Sequence, residues 1–181
     1  MRTEMDLHNE TGVNVAALLQ EPVGSSRSYP LRLDAFPLDD ELLAVDVTGT
    51  VKLTRLTDEI IARLKVEGSA ELQCLRCLRE YPEAFAADFT EEFRIAHDVR
   101  TGNGIAAPAD DERFTINENH ELDFGEALRQ EIIVALPMRP TCGTDCPGPD
   151  MTGYPAGVTG GEERIDDRFA LLERLLDEAQ D

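Results

Sequence analysis

The chain has 181 residues, with 17 Lys and Arg against 37 Asp and Glu, a formal charge of −20 at pH 7 and a pI near 4.4. A chain of this length buries about 70 % of its unfolded surface, and 41 % apolar content supplies the core, so neither a disulfide scaffold nor wholesale disorder is required. The charge balance excludes nucleic-acid binding through a broad basic face and favours a basic or neutral partner protein.

No apolar run approaches the roughly 18 residues of a membrane span, and Met1-Arg2-Thr3-Glu4-Met5-Asp6 lacks the order of a signal peptide. The expectation is a cytoplasmic protein with no membrane contact and no small-molecule substrate. It is read as a single domain, 1–181.

Near the N-terminus, Val13 to Leu19 reads as a short helix closed by Glu21-Pro22. Period-two alternation then takes over. Leu31 and Leu33 alternate with polar positions, and Leu43, Val45, Val47, Val51 and Leu53 do so within Leu42 to Thr54. Ile60, Ala62, Leu64, Val66, Ala70, Leu72 and Cys74 continue the pattern, with charged residues on the other face and Gly68 as a bulge position. Thr57-Asp58 separates these two runs, so they pair most simply as an antiparallel hairpin. Phe85, Ala87, Phe89, Phe93 and Ile95 form a further strand, although Ala84 to Phe93 also admits a helix reading.

Residues 97–114 lack any period and read as a flexible loop. Asp123 and Glu126 have capping-box spacing, and Leu128, Ile132, Ile133 and Leu136 form one helical stripe ending at Pro137. Residues 137–164 are Gly- and Pro-rich, and Phe169, Leu172, Leu175 and Leu176 mark a closing amphipathic helix. The expected fold class is α+β: a twisted antiparallel β-sheet over about residues 29–95, covered by helices near 123–136 and 166–179.

Four cysteines occur as Cys74-Leu-Arg-Cys77 and Cys142-Gly-Thr-Asp-Cys146. In a reducing compartment, close pairs suit metal ligation better than disulfides. Four thiolates around one Zn²⁺ make a closed tetrahedral structural site with a net charge of −2, which Arg76, Arg79 and Arg139 stand near enough in sequence to offset. Two other readings stand beside it: a Cys74/Cys77 redox couple, and four unligated thiols packed in or near the core.

Other chemistry is thin. His8, His97 and His120 share no ligand spacing and read as solvated. Asp39-Asp40-Glu41, Asp110-Asp111-Glu112 and Glu162-Glu163 read as solvated acidic faces that a basic partner can use. Gly102-Asn-Gly104 and Gly160-Gly161 lack the spacing of a phosphate-binding loop.

From about Leu18 onward the chain resembles the large ribosomal RNA subunit accumulation protein family, YceD. The resemblance rests on Cys74-Leu-Arg-Cys77-Leu78, Glu91-Glu92-Phe93, Leu122-Asp123-Phe124 and Glu131-Ile-Ile-Val-Ala-Leu-Pro137, then Pro140, Cys142, Cys146-Pro-Gly148 and Asp166-Asp167-Arg168-Phe169-Ala170-Leu171-Leu172. It implies a non-enzymatic factor needed for 23S rRNA accumulation and large-subunit assembly. Many members carry further cysteines after the second pair. Here those positions read Asp150 and Tyr154-Pro-Ala-Gly157, which leaves a four-cysteine site built from both pairs.

At −20, direct rRNA contact is the less favoured route, with only Arg76, Arg79, Arg94, Arg100 and Arg139 as a sparse basic set. A ribosomal protein or large-subunit assembly intermediate is the preferred partner. The alternative function is a thiol-disulfide or metal-handling protein using Cys74 and Cys77.

Overall fold

The computed structural model describes residues 7–106 and 113–149. The chain divides between Cys146 and Pro147, and the fold below is that of the unit ending at Cys146. The elements run β1 (Leu7–His8), β2 (Gly12–Asn14), α1 (Ala16–Leu19), β3 (Ser26–Pro37), β4 (Leu43–Arg55), β5 (Glu59–Gln73), β6 (Glu80–Ile95), β7 (Phe114–Ile116), β8 (Glu121–Asp123) and α2 (Gly125–Ala135).

The four long strands are those that period two announces. In β5, Ile60, Ala62, Leu64 and Val66 are buried while the intervening charged residues Arg63 and Lys65 face water. They meet Leu31 and Leu33 of β3, Val47, Val51 and Leu53 of β4, and Phe85 and Phe93 of β6 in one core. β3, β4, β5 and β6 pair antiparallel in sequence order. Residues 84–93 lie within β6, so the helix reading of that stretch fails.

The α+β expectation is corrected by the structure. About half of the described residues are strand and 11 % helix, in two helices, and the sheet curls into a half-barrel instead of lying beneath a helical layer. Nor is it wholly antiparallel. Short β1 adds to β3 in parallel at one edge, and β7 adds to β6 in parallel at the other, giving six strands in the order β1-β3-β4-β5-β6-β7. Strands of 12 to 16 residues accumulate enough right-handed twist to bend the sheet around its own apolar face. One helix suffices to plug that face: α2 buries Ala127, Leu128 and Ile132. The helix expected near 166–179 lies outside the described residues.

A bulge sharpens the curl. Val45 pairs with Ser69 and Thr48 with Glu67, so Asp46 and Val47 of β4 oppose Gly68 alone. Asp46 takes φ 52° there. A Cβ on Gly68 would come 3.0 Å from Phe85 Cζ and 3.2 Å from the Val45 carbonyl oxygen, so the glycine serves a bulge on the opposite strand. The bulge also shifts the buried parity of β4 from Ala44 to Val47, Val51 and Leu53.

The N-terminal segment is partly strand: β2 pairs antiparallel with β8, and only Ala16–Leu19 of the expected helix is helical. The α2 start also departs from a capping box. Asp123 Oδ1 accepts from the Gly125 amide and from Thr11 Oγ1, each at 2.8 Å. Glu126 turns the other way, accepting from Arg129 at 2.6 and 2.8 Å and from Gln130 at 2.8 Å. Arg129 also donates to the Leu38 carbonyl at 3.1 Å, tying α2 to the β3–β4 turn.

Candidate metal centre

The alternation of β5 places Cys74 on its buried face, one residue past the end of the strand. The chain then reverses through Cys74–Arg79 into β6. The Cys74 amide donates to the Arg79 carbonyl and the Leu78 amide to the Cys74 carbonyl, each at 2.9 Å. Leu78 adopts φ 60°, a left-handed conformation costly for a branched side chain. The turn is tight enough that the Arg76 amide points at Cys74 Sγ, 3.4 Å away.

The second pair arrives from α2. The helix stops at Leu136, which is extended, and the chain passes through Pro137 and Pro140 to a turn in which Gly143 takes φ 111° and the Cys146 amide meets the Gly143 carbonyl at 3.4 Å. One backbone hydrogen bond joins the two segments, from the Leu75 amide to the Pro140 carbonyl at 3.0 Å.

All four thiols converge. Cys74 Sγ lies 3.8 Å from Cys146 Sγ, Cys77 Sγ lies 3.6 Å from Cys142 Sγ, and no two of the four sulfurs are more than 4.8 Å apart. A regular tetrahedron of thiolates with metal–sulfur bonds of about 2.3 Å has edges of about 3.8 Å. The donor set and its dimensions therefore suit a single thiophilic metal ion. Cys74 is buried, Cys77 and Cys146 are half-buried and Cys142 is exposed, so the cage sits at the rim of the core.

The electrostatics of the bare thiols point the same way. Backbone N–H groups, those of Cys77 first and then Cys142, pull the Cys74 thiol down to about 6. Crowding by its sulfur neighbours, Cys146 foremost and then Cys77, pushes Cys142 up to about 12. The Cys74 thiolate thus forms readily while that of Cys142 is opposed by its sulfur neighbours, an opposition that a bound cation removes.

Arg76, Arg79 and Arg139 are all exposed around this centre, and no ion pair engages them among the described residues. The other two members of the sparse basic set lie elsewhere: Arg94 near the far end of β6, donating to the Ile105 carbonyl at 3.3 Å, and Arg100 in the turn beyond. Sequence reasoning missed the backbone contribution, the Leu75–Pro140 bond and the amides aimed at Cys74, which leave no side-chain signature.

The histidines do not join the site. His8 is exposed, with Nε2 3.3 Å from Asp34 Oδ2. His97 and His120 are half-buried, not solvated, and the Nδ1 of each is buried without a hydrogen-bond partner among the described residues. Of the acidic runs, Asp39-Asp40-Glu41 forms the β3–β4 turn, where Asp39 Oδ1 accepts from the Glu41 and Leu42 amides at 2.8 and 2.7 Å. It opens a depression of about 580 Å³ shared with Glu71 and Glu80, five carboxylates with no basic residue in the lining. The runs 110–112 and 162–163 lie outside the described residues.

The family model described as large ribosomal RNA subunit accumulation protein YceD matches residues 62–176. This chain belongs to the YceD family. The matched span begins within β5 and takes in both cysteine pairs and α2. No curated protein and no solved structure matches the chain. The family description places YceD proteins in the accumulation of large-subunit ribosomal RNA. No helix among the described residues is long and apolar enough to cross a membrane.

Proposed function

We propose that this protein is a non-enzymatic, cytoplasmic factor in large ribosomal subunit biogenesis, needed for 23S rRNA accumulation. It acts by holding a basic ribosomal protein or an assembly intermediate, and Cys74, Cys77, Cys142 and Cys146 hold a structural Zn²⁺. The observation that carries the reading is the family match, whose span includes all four cysteines. A depression lined by Asp39, Asp40, Glu41, Glu71 and Glu80 favours a cationic partner, because complementary charge speeds encounter and rejects acidic competitors.

In this role Zn²⁺ supplies folding energy, fixing the 137–146 segment against the end of β5, and takes no part in a reaction. The test is deletion of the gene followed by quantification of 23S against 16S rRNA, with the tagged protein followed through a sucrose gradient. Selective loss of 23S and co-migration with large-subunit precursors are expected. Equal levels of both RNAs and a protein found only at the top of the gradient would overturn the reading.

The low position of the Cys74 thiol favours a second reading, a thiol-disulfide couple. Against it, the 3.6 and 3.8 Å sulfur contacts join one cysteine of each pair to one of the other. Alkylation separates the two: a metal cage protects four thiols together, whereas a redox couple exposes Cys74 and Cys77 on reduction.

A further inference from the structure

The surface over the cysteine centre differs in chemistry from the rest of this acidic molecule. Residues 74–79 and 137–142 together hold Arg76, Arg79 and Arg139 and no carboxylate, in a chain where Asp and Glu outnumber Lys and Arg 37 to 17. The Leu75–Pro140 hydrogen bond brings these two short segments into one place. Three large apolar side chains accompany the arginines: Leu75 is 60 %, Leu78 65 % and Met138 96 % exposed. Elsewhere the described arginines Arg27, Arg32, Arg63, Arg113 and Arg129 are committed to carboxylates of their own chain.

We propose that Leu75, Arg76, Leu78, Arg79, Met138 and Arg139 form an RNA-contact surface that takes a short single-stranded or looped segment. The proposal rests on the ribosome-assembly reading and names a second partner for it. Guanidinium groups donate bidentately to phosphate oxygens and lay their planes on unstacked bases, while exposed aliphatic side chains cover the base faces that remain. A basic protein is repelled here, just as RNA is repelled by the acidic groove of Asp39, Asp40, Glu41, Glu71 and Glu80. The two surfaces therefore sort two partners of opposite charge.

The net charge of −20 does not forbid the contact, because at physiological salt interactions fade beyond a Debye length of about 8 Å. It does limit the footprint. Glu80 and Asp145 flank the patch, so a rigid duplex that extends past it meets carboxylates, whereas a flexible strand bends away. If the arginines served only to offset the charge of four metal-bound thiolates, Leu75, Leu78 and Met138 would have no reason to stand exposed beside them.

The experiment uses the full, zinc-loaded chain and a short fluorescent RNA of mixed sequence, single-stranded or annealed to its complement, followed by anisotropy against salt. The triple variant Arg76→Gln/Arg79→Gln/Arg139→Gln is compared with Arg32→Gln/Lys52→Gln/Arg63→Gln, which removes the same charge from the sheet. Both must keep four protected thiols, which reports an intact centre. Expected are single-strand preference and a salt slope near about −2, from about −0.7 for each of three phosphates. The patch variant should bind at least about tenfold more weakly with a slope near zero, and the sheet variant should bind like wild type. Equal loss in both triples, duplex preference, or no binding by wild type overturns the proposal. The assembly reading is judged separately: a patch variant that still migrates with large-subunit precursors leaves that reading standing, and a wild-type protein that never does so removes it.

Discussion

The Leu75 amide donates to the Pro140 carbonyl at 3.0 Å, and this single bond marks where two cysteine pairs separated by 65 residues are held together. Leu75 directly follows Cys74 and Pro140 stands two before Cys142, so the bond joins the two cysteine-bearing segments beside the sulfurs. Backbone bonding thus contributes to bringing the two pairs together, and a bound ion would add the rest of the constraint.

Protein purified without added metal should carry about one zinc per chain by elemental analysis, and a chelator should release all four thiols in one step. Cys146→Ser and Cys77→Ser should each lower the melting temperature and expose the remaining three thiols together. A variant in which only the mutated pair becomes reactive would show that the pairs do not share an ion.

Gly68→Ala should destabilise by about 1–3 kcal/mol, because its Cβ arrives 3.0 Å from Phe85 Cζ opposite the β4 bulge. Gly49→Ala should cost more, since a Cβ there collides with the Lys65 carbonyl oxygen, a backbone atom that cannot step aside. Urea denaturation ranks the two, and equal stability of both variants and wild type would refute the close-packing account of the curl.

Acid sensitivity should trace in part to Glu126. Arg129 first, then Gln130, hold its folded carboxyl down at about 2, against an ordinary 4.5. A depressed carboxylate contributes stability above its unfolded value, and that contribution is lost as pH falls from about 4.5 toward 2. Glu126→Gln should therefore melt below wild type at pH 7, with the gap closing in that acid window. A gap that stays constant down to the folded value would remove Glu126 from the account.

Leu78→Gly should stabilise the unliganded turn by up to about 1 kcal/mol, by relieving a left-handed conformation at a residue that is 65 % exposed and loses little packing. Ile60→Ala, with Ile60 fully buried in β5, should cost about 2–5 kcal/mol. Chemical denaturation of the pair contrasts backbone strain with core burial. A destabilised Leu78→Gly would mean that Leu78 packs more than its exposure implies.

Local chemistry determined much of this protein. Alternation in Ile60, Ala62, Leu64 and Val66 requires only that one strand face be dry, so the existence of β3 to β6 is legible, and the Leu128–Ile132 stripe marks α2 for the same reason. But Leu43 and Val45, read on the dry face of β4, and Ile133, read in the α2 stripe, are exposed, the first two because the bulge shifts the strand's parity. The cysteine spacings likewise mark candidate ligands, since thiols two or three residues apart can reach one ion whatever the fold. Three things were left to the tertiary structure. Strands β1, β7 and β8 have two or three residues each, too few to show a period, and exist because a neighbour satisfies their amides. The half-barrel replaces a helix-covered sheet because twist accumulates along strands of 12 to 16 residues and a bulge opposite Gly68 adds to it, a property of paired strands that no single strand displays. Convergence of Cys74 and Cys77 with Cys142 and Cys146 depends on where α2 delivers the chain, and a distance across 65 residues leaves no periodic trace in the residues themselves.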